Sequence, residues 1–478
     1  MFTHAIVMAL ACGMIAAPAL GQSLEQKKHE ALESIAANRT ETIDLAEQIW
    51  RYAETALKEH RSSKALADAA QRHGFVVQRG VAGMPTAFIA EYGSGAPIIG
   101  ILGEFDALPG LSQKVSTQRD PLEADAPGHG CGHNLFGPAS LAAAIAIKDL
   151  IEAGTLSGTI RYYGTPAEEA VGGKIYMARD GLFNDVEVCL AWHPSDDTQA
   201  DTTSTQALVD FVVEFRGRTA HAAFDPWNGR SAVDALELTT HGLNLMREHI
   251  KPSSRIHYAI LEGGQVPNVV PERAKLWCWL RDWERSEVDA MLQRVRKVVE
   301  GAAMMAEVEA TLTVQSGDYE LLNNMAGAKL LHENLNWVGP VEYTNEEQAF
   351  AKAIQRSVGI AETGINAAIK PLENQPQEGG STDVGDVSWV TPVLHLSVTC
   401  APEHCPWHHW AVVACAGSSI GHKGMERAAK VMAATMVDLF ERPEVRREIR
   451  REFEEKTKGH TFSPYIPDGP PPVPAPGE

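Results

Sequence analysis

The sequence predicts an α/β protein of two domains, a larger α/β domain on a central sheet and a smaller ferredoxin-like α+β unit inserted into it. Three observations predict this. The chain has 478 residues, ample for a large core and long enough to favour two domains over one. Apolar strand-like runs alternate with helical stretches on both sides of its middle, as in a sheet covered on both faces. Between residues 206 and 324 the order becomes strand, helix, strand, strand, helix, strand.

The elements follow in order. Residues 24–72 read as helices, with apolar residues at helical spacing over 24–37 and 43–56 and N-cap chemistry at Thr40 to Thr42. Short strand-like runs come next at 75–77, 87–90 and 98–102. The stretch 135–151 is apolar nearly all round, which predicts a buried helix. Strands are expected at 159–163 and 186–191. In the insert, strands are expected at 207–215, 256–261, 274–283 and 307–314, and helices at 231–250 and 287–305. After Asn324 helix and strand return, ending in a long helix over 425–440. The expected division is 1–21, 22–205, 206–324, 325–462 and a Pro-rich tail at 463–478 that hugs the surface or is loose.

The formal net charge of −20 argues against nucleic acid as a partner, because phosphate binding needs clusters of Lys and Arg and none is present. Residues 5–20 are apolar and small, and small residues precede Gly21. They are expected to be a secretory signal peptide, although His4 is the only basic character ahead of them. No later apolar run looks long enough to span a bilayer. The protein is therefore expected to be exported, periplasmic or secreted, without a membrane anchor. Seven cysteines give no dense disulfide framework. Cys12 belongs to the leader, Cys189 and Cys278 sit in apolar runs and should be buried, and Cys400 and Cys405 are near enough in sequence to pair.

Four segments concentrate metal-ligand chemistry, each after an expected strand or opening an expected helix. They are Gly103 to Pro109, Gly128 to Asn134, Thr165 to Glu169, and Ala191 to Pro194. In open α/β sheets, sites gather at the carboxyl ends of strands. Each segment alone is weak: adjacent glutamates are usually a solvated turn, and a lone histidine at a strand end is usually structural. Their joint occurrence carries the weight. Glycines around Cys131 and His133 permit a tight backbone from which both side chains face one point. Glu168 and Glu169 point different ways if extended, so one can bind metal while the other faces substrate.

These segments resemble the metal-dependent aminoacylase and carboxypeptidase superfamily. Within it they resemble the amidohydrolase branch of aminobenzoyl-glutamate, auxin-conjugate and hippurate hydrolases. The residues that carry the likeness are Asp106 to Pro109, Cys131 to His133, Pro166 to Glu169, His193, Gly217 to Ala222, and Gly264 to Pro271. The blocks Ser381 to Trp389 and Ser419 to Met425 are especially similar to B subunits of aminobenzoyl-glutamate hydrolases. The resemblance runs in order along nearly the whole chain after the leader.

The resemblance makes the larger domain catalytic and the insert a dimerisation and lid domain. It implies two divalent ions, zinc or manganese, on Cys131, His133, Glu169, His193 and one late histidine. His408 aligns best for that last ligand, with His404, His409 and His422 nearby. Glu168 would be the general base and Asp106 a carboxylate that shapes the site. His221 would reach the active site of a second subunit and stabilise an oxyanion, which implies a homodimer. Asn268 and Arg281 would contact a substrate carboxylate, though Arg281 reads equally well as a structural ion pair. The segment Cys400 to Cys405 departs from the family and is expected to be a disulfide loop rather than a competing metal cluster.

The expected activity is hydrolysis of an N-acyl amino acid such as aminobenzoyl-glutamate by metal-activated water. The alternatives are a dipeptidase or carboxypeptidase of the same superfamily and a non-catalytic periplasmic binding protein. A related partner subunit is left open. A cysteine hydrolase using Cys131 and His133 is disfavoured, since that spacing on a tight Gly turn suits chelation better than nucleophile–base geometry.

Overall fold

A computed structural model describes residues 22–373 and 379–474. The expected signal peptide lies outside the described residues, as do the last four residues of the tail. Eleven strands form two sheets among the described residues. The larger sheet contains β1 (Val76–Arg79), β2 (Phe88–Gly93), β3 (Ile98–Glu104), β4 (Thr159–Thr165), β5 (Val188–Ser195), β6 (Gln199–Ala200) and β11 (Val393–Thr399). The smaller contains β7 (Ala207–Arg216), β8 (Arg255–Glu262), β9 (Arg273–Asp282) and β10 (Glu309–Ser316).

The larger sheet runs β1-β2-β4-β3-β5-β11-β6. Its centre, β4-β3-β5-β11, is parallel, while β1, β2 and β6 pair antiparallel at the edges. The carboxyl ends of four strands therefore lie side by side, where segments distant in sequence can share a site. The helix His133–Glu152 packs against β3, β4 and β5 and is buried along nearly its whole length. By length and composition it could cross a membrane, contrary to the expectation that no such run follows the leader. Its apolar surface is instead covered by the sheet and by the helices Leu24–Ala37 and Ser419–Glu441.

The insert has the expected order, with helices Ala232–Met246 and Arg285–Ala306 beside the antiparallel sheet β10-β7-β9-β8. Phe211, Phe215, Leu276, Leu280 and Val295 form its own core, separate from that of the larger domain. This is the two-domain fold that the sequence predicts. The differences are local. The first insert helix ends at Met246 and continues as a single 3-10 turn over Arg247–His249. The second N-terminal helix stops at Tyr52, where Ala53 turns left-handed at a φ of +43°, and a third helix runs over His60–Arg72.

The described part of the Pro-rich tail, residues 463–474, is held against the protein. It leaves the helix Pro443–Lys456 of the larger domain and crosses to the insert. There the Arg285 guanidinium lies between the rings of Tyr319, at 4.2 Å, and Tyr465, at 3.3 Å, and donates to the Ser463 carbonyl at 2.9 Å. The tail then returns to the larger domain, where Arg179 donates to the Gly469 carbonyl at 2.7 Å.

The expected disulfide loop is corrected: Cys400 and Cys405 are both free and buried. The reason is packing. Cys400 follows β11 and turns toward the helix Ser419–Glu441, into space left by Gly424, where a Cβ would lie 2.4 Å from its sulfur. Cys405 belongs to a different small core, with Ile354 and Trp410.

Candidate metal centre

Four strand ends build the site. β3 ends at Glu104 and delivers Asp106 two residues on. β4 ends at Thr165 and turns into Glu168 and Glu169. His193 lies near the end of β5, and the segment after β11 carries His408. Cys131 and His133 flank Gly132, whose φ of +77° caps the helix His133–Glu152 and folds the two side chains toward one point. Gly137 on that helix sits so close to β3 that a Cβ would lie 2.8 Å from the Glu104 carbonyl. That close approach brings His133 against the strand end.

Asp106 organises the cluster. It is 1% exposed, and its Oδ1 lies 2.9 Å from His133 Nδ1. Its Oδ2 accepts the Glu169 backbone N–H at 2.9 Å. A carboxylate that fixes one imidazole nitrogen leaves the other free as a ligand. His133 Nε2 is indeed buried without a hydrogen-bond partner, as are Glu169 Oε1 and Glu104 Oε2. Buried polar atoms are almost always partnered, so three orphans converging on one place point to a cation site. Around them Cys131 Sγ lies 3.3 Å from His193 Nε2, and His408 Nε2 lies 3.3 Å from Glu169 Oε2. Cys131, His133 and His193 form one candidate ligand group and Cys131, Glu169 and His408 another, each with donor atoms within 4.8 Å of one another.

The electrostatics agree. Burial opposes a charge on His133, yet Glu104, Cys131 and Asp106 outweigh it and raise its pKa well above the ordinary value. Burial, then the neighbouring Glu104 and Glu169, raise Glu168 well above the carboxylate range. Burial pushes Glu169 up to about 7. Burial and the charge on His133 depress His193 to about 4, which keeps it neutral and able to ligate. The cluster is an acidic pocket that takes up positive charge.

Sequence reasoning missed four residues here. Lys174 is fully buried and bridges Glu104 at 2.7 Å and Asp383 at 2.6 Å. Glu104 and Asp383 lie inside the motif segments, where the sequence alone suggests no role for them. Glu59 is buried on a different element and accepts the Ala167 N–H at 2.9 Å, holding that residue at a φ of +63° beside Glu168. A lysine among the apolar residues of the helix Gly173–Arg179 was the available signal, since a buried cation needs a partner.

The comparisons with known proteins agree with this architecture. A model described as the peptidase dimerisation domain of the M20 family matches residues 203–304. The B subunit of p-aminobenzoyl-glutamate hydrolase from Escherichia coli K12 is 38% identical over 470 residues, covering 92% of this chain and 98% of that protein. The chain belongs to the M20 peptidase family. The Xaa-Arg dipeptidase of Mus musculus is 29% identical, over 90% of this chain and 93% of that protein. Among solved structures, a dinuclear metal-binding M20 peptidase of Bacillus subtilis has a TM-score of 0.59 at 17% identity, covering 85% of this chain and 99% of its own. An aminobenzoyl-glutamate utilization protein of Klebsiella pneumoniae has a TM-score of 0.56 at 19% identity, covering 88% and 100%. As an M20 enzyme, the chain is a metal-dependent amidohydrolase.

Among the late histidines of this M20 chain, only His408 joins the cluster among the described residues. His409 caps the helix Trp410–Ala416, accepting the Ala411 N–H at 3.4 Å. His404 is exposed, and His422 is buried on the helix Ser419–Glu441. The insert residues stand apart from the cluster. His221 is exposed, and its Nδ1 accepts backbone N–H groups of its own turn, from Ala223 at 3.2 Å and Phe224 at 3.1 Å. Asn268 is exposed, and its carbonyl accepts the Ala222 N–H at 3.0 Å. Arg281 forms no salt bridge among the described residues; it donates to Ser381 Oγ at 2.9 Å and lies 4.9 Å over the Trp279 ring. That ties it to the loop carrying Asp383 rather than to the ligand atoms.

Proposed function

We propose that this amidohydrolase releases an amino acid from an N-acyl amino acid, with aminobenzoyl-glutamate as the first candidate substrate. In this reading it uses two divalent ions, zinc or manganese. Cys131, His133, Glu169, His193 and His408 would hold them. The observation that carries the reading is the set of orphaned buried ligand atoms beside two close ligand pairs. A thiolate with imidazoles suits zinc, and carboxylates widen the choice to manganese. The ions, when bound, lower the pKa of water and polarise the scissile carbonyl.

The chain's own residues do the rest. Glu168 takes the proton of the attacking water and returns it to the leaving nitrogen. Asp106 fixes the His133 ring and the Glu169 backbone together, so that both ligands move as a unit. His221 is exposed on the insert and is not among the residues that cluster in its own chain. It would act in a second copy, stabilising the oxyanion there. The exposed edge strand β8, with Ile260 and Leu261, and the matched dimerisation region support a homodimer. Asn268 and Arg281 would then meet the substrate carboxylate. The E. coli relative is named as one of two subunits, so a related partner protein belongs to the same reading. Export follows from the apolar leader at residues 5–20.

The test is elemental analysis of the purified protein with hydrolysis of aminobenzoyl-glutamate and several acyl amino acids, before and after chelation. About two ions per chain and chelator-sensitive turnover support the reading. A protein that takes up no zinc or manganese overturns it. The likeness to Xaa-Arg dipeptidase over most of the chain makes dipeptides ending in arginine the second substrate set. Their preferential cleavage replaces the substrate while keeping the site.

A further inference from the structure

The strongest unassigned feature is the carboxylate of Glu104. Its side chain ends β3 and is 1% exposed. Oε1 is spoken for by Lys174, at 2.7 Å. Oε2 lies 3.1 Å from His133 Nε2, yet neither atom has a hydrogen-bond partner. Two acceptor-capable atoms this close, buried, and not aligned for a hydrogen bond are arranged as ligands of one cation. Metal bonds of about 2.0–2.2 Å place neighbouring donor atoms roughly 3 Å apart. Glu104, His133 and Glu168 also offer donor atoms that all lie within 4.8 Å of one another.

We infer that Glu104 is a further metal ligand, binding through Oε2 the cation held by His133, with Lys174 and Asp383 as its positioning pair. This rests on the two-metal reading above. Lys174 is gripped twice by Asp383, through its ammonium at 2.6 Å and its backbone N–H at 2.9 Å. That grip fixes the ammonium against Glu104 Oε1 and so aims Oε2 at His133. Glu104, Asp106, Glu168 and Asp383 face this buried lysine, and with His133 as the other group there that can carry positive charge the carboxylates still outnumber the cations. Ligation makes the two positions chemically unequal. Cys131 belongs to both candidate groups, so both cations share its soft thiolate, and only the one at His133 gains the further hard carboxylate of Glu104.

The experiment compares the unsubstituted protein with Glu104→Gln and Glu104→Asp, after circular dichroism shows each is folded. Each is loaded with zinc or cobalt(II), dialysed against a competing chelator, and read by elemental analysis and the visible cobalt spectrum. Glu104→Asp keeps the charge but draws the carboxylate back, which separates ligation from electrostatics. Both variants are expected to keep one ion tightly and bind the second at least about tenfold more weakly. Their cobalt d–d bands should change while the thiolate charge-transfer band stays. Two tightly held ions and an unchanged cobalt spectrum in both variants overturn the ligand role and leave the two-metal reading intact. An unsubstituted protein that binds no ion overturns both.

Discussion

The ends of the parallel strands and the insert both carry polar residues at motif positions, but they hold them in opposite ways. At the strand ends His133, Asp106, Glu104 and Lys174 are buried and bonded to one another across three segments. On the insert His221 and Asn268 are exposed, His221 accepting N–H groups of its own turn and Asn268 the Ala222 N–H of the neighbouring segment. The first arrangement is complete within one chain, since every orientation is fixed by a neighbour. Among the described residues the second does not reach the cluster of its own chain. A preorganised cluster and an exposed arm fit the proposed site shared between two copies.

The largest expected effect tests the cluster. Glu168→Gln should keep its metal and fold and lose about a hundredfold to ten-thousandfold in kcat. Undiminished turnover in that variant removes Glu168 as the base. Next comes the arm. His221→Ala should cost about a hundredfold to a thousandfold in kcat. Mixing it with Glu168→Gln should recover part of the activity, because one hybrid site then has both groups. Absence of recovery, with mixed dimers verified by mass, would place His221 outside the shared site and collapse the contrast. A smaller effect sharpens the cluster's internal order. Asp106→Asn should weaken metal binding by about tenfold to a hundredfold, read by competition with a chromophoric chelator, since it loosens His133 and Glu169 together. An unchanged affinity would mean the ligands are held by packing alone. The smallest effect is none: the unsubstituted protein should unfold at the same temperature with or without reductant, because Cys400 and Cys405 are free thiols.

Much of this contrast was legible in the sequence. Apolar runs ending in ligand-type residues located three of the four strand ends, those of β3, β4 and β5, because a parallel sheet writes its site at the carboxyl ends of its strands, while the end of β11 was not read. The switch to a strand-helix-strand-strand-helix-strand order marked the insert. What stayed hidden depends on pairings between distant segments. Lys174 and Asp383 are 209 residues apart, and no local pattern announces that they meet. Glu59 likewise reaches Ala167 across 108 residues. The disulfide expectation failed for a related reason. Sequence proximity put Cys400 beside Cys405, but Gly424, on another helix, made the space that turned Cys400 away.

The aromatic clasp of the tail bears on how the molecule comes apart. Two separate hydrophobic cores would ordinarily melt as two units. Here Arg285, at the start of an insert helix, is sandwiched between Tyr319 and Tyr465 of the tail, and Phe462 stacks on Tyr319 at 5.4 Å. Neither core can loosen fully without opening this joint. The insert and the larger domain should therefore unfold in a single calorimetric transition, and a chain ending at residue 456 should show two.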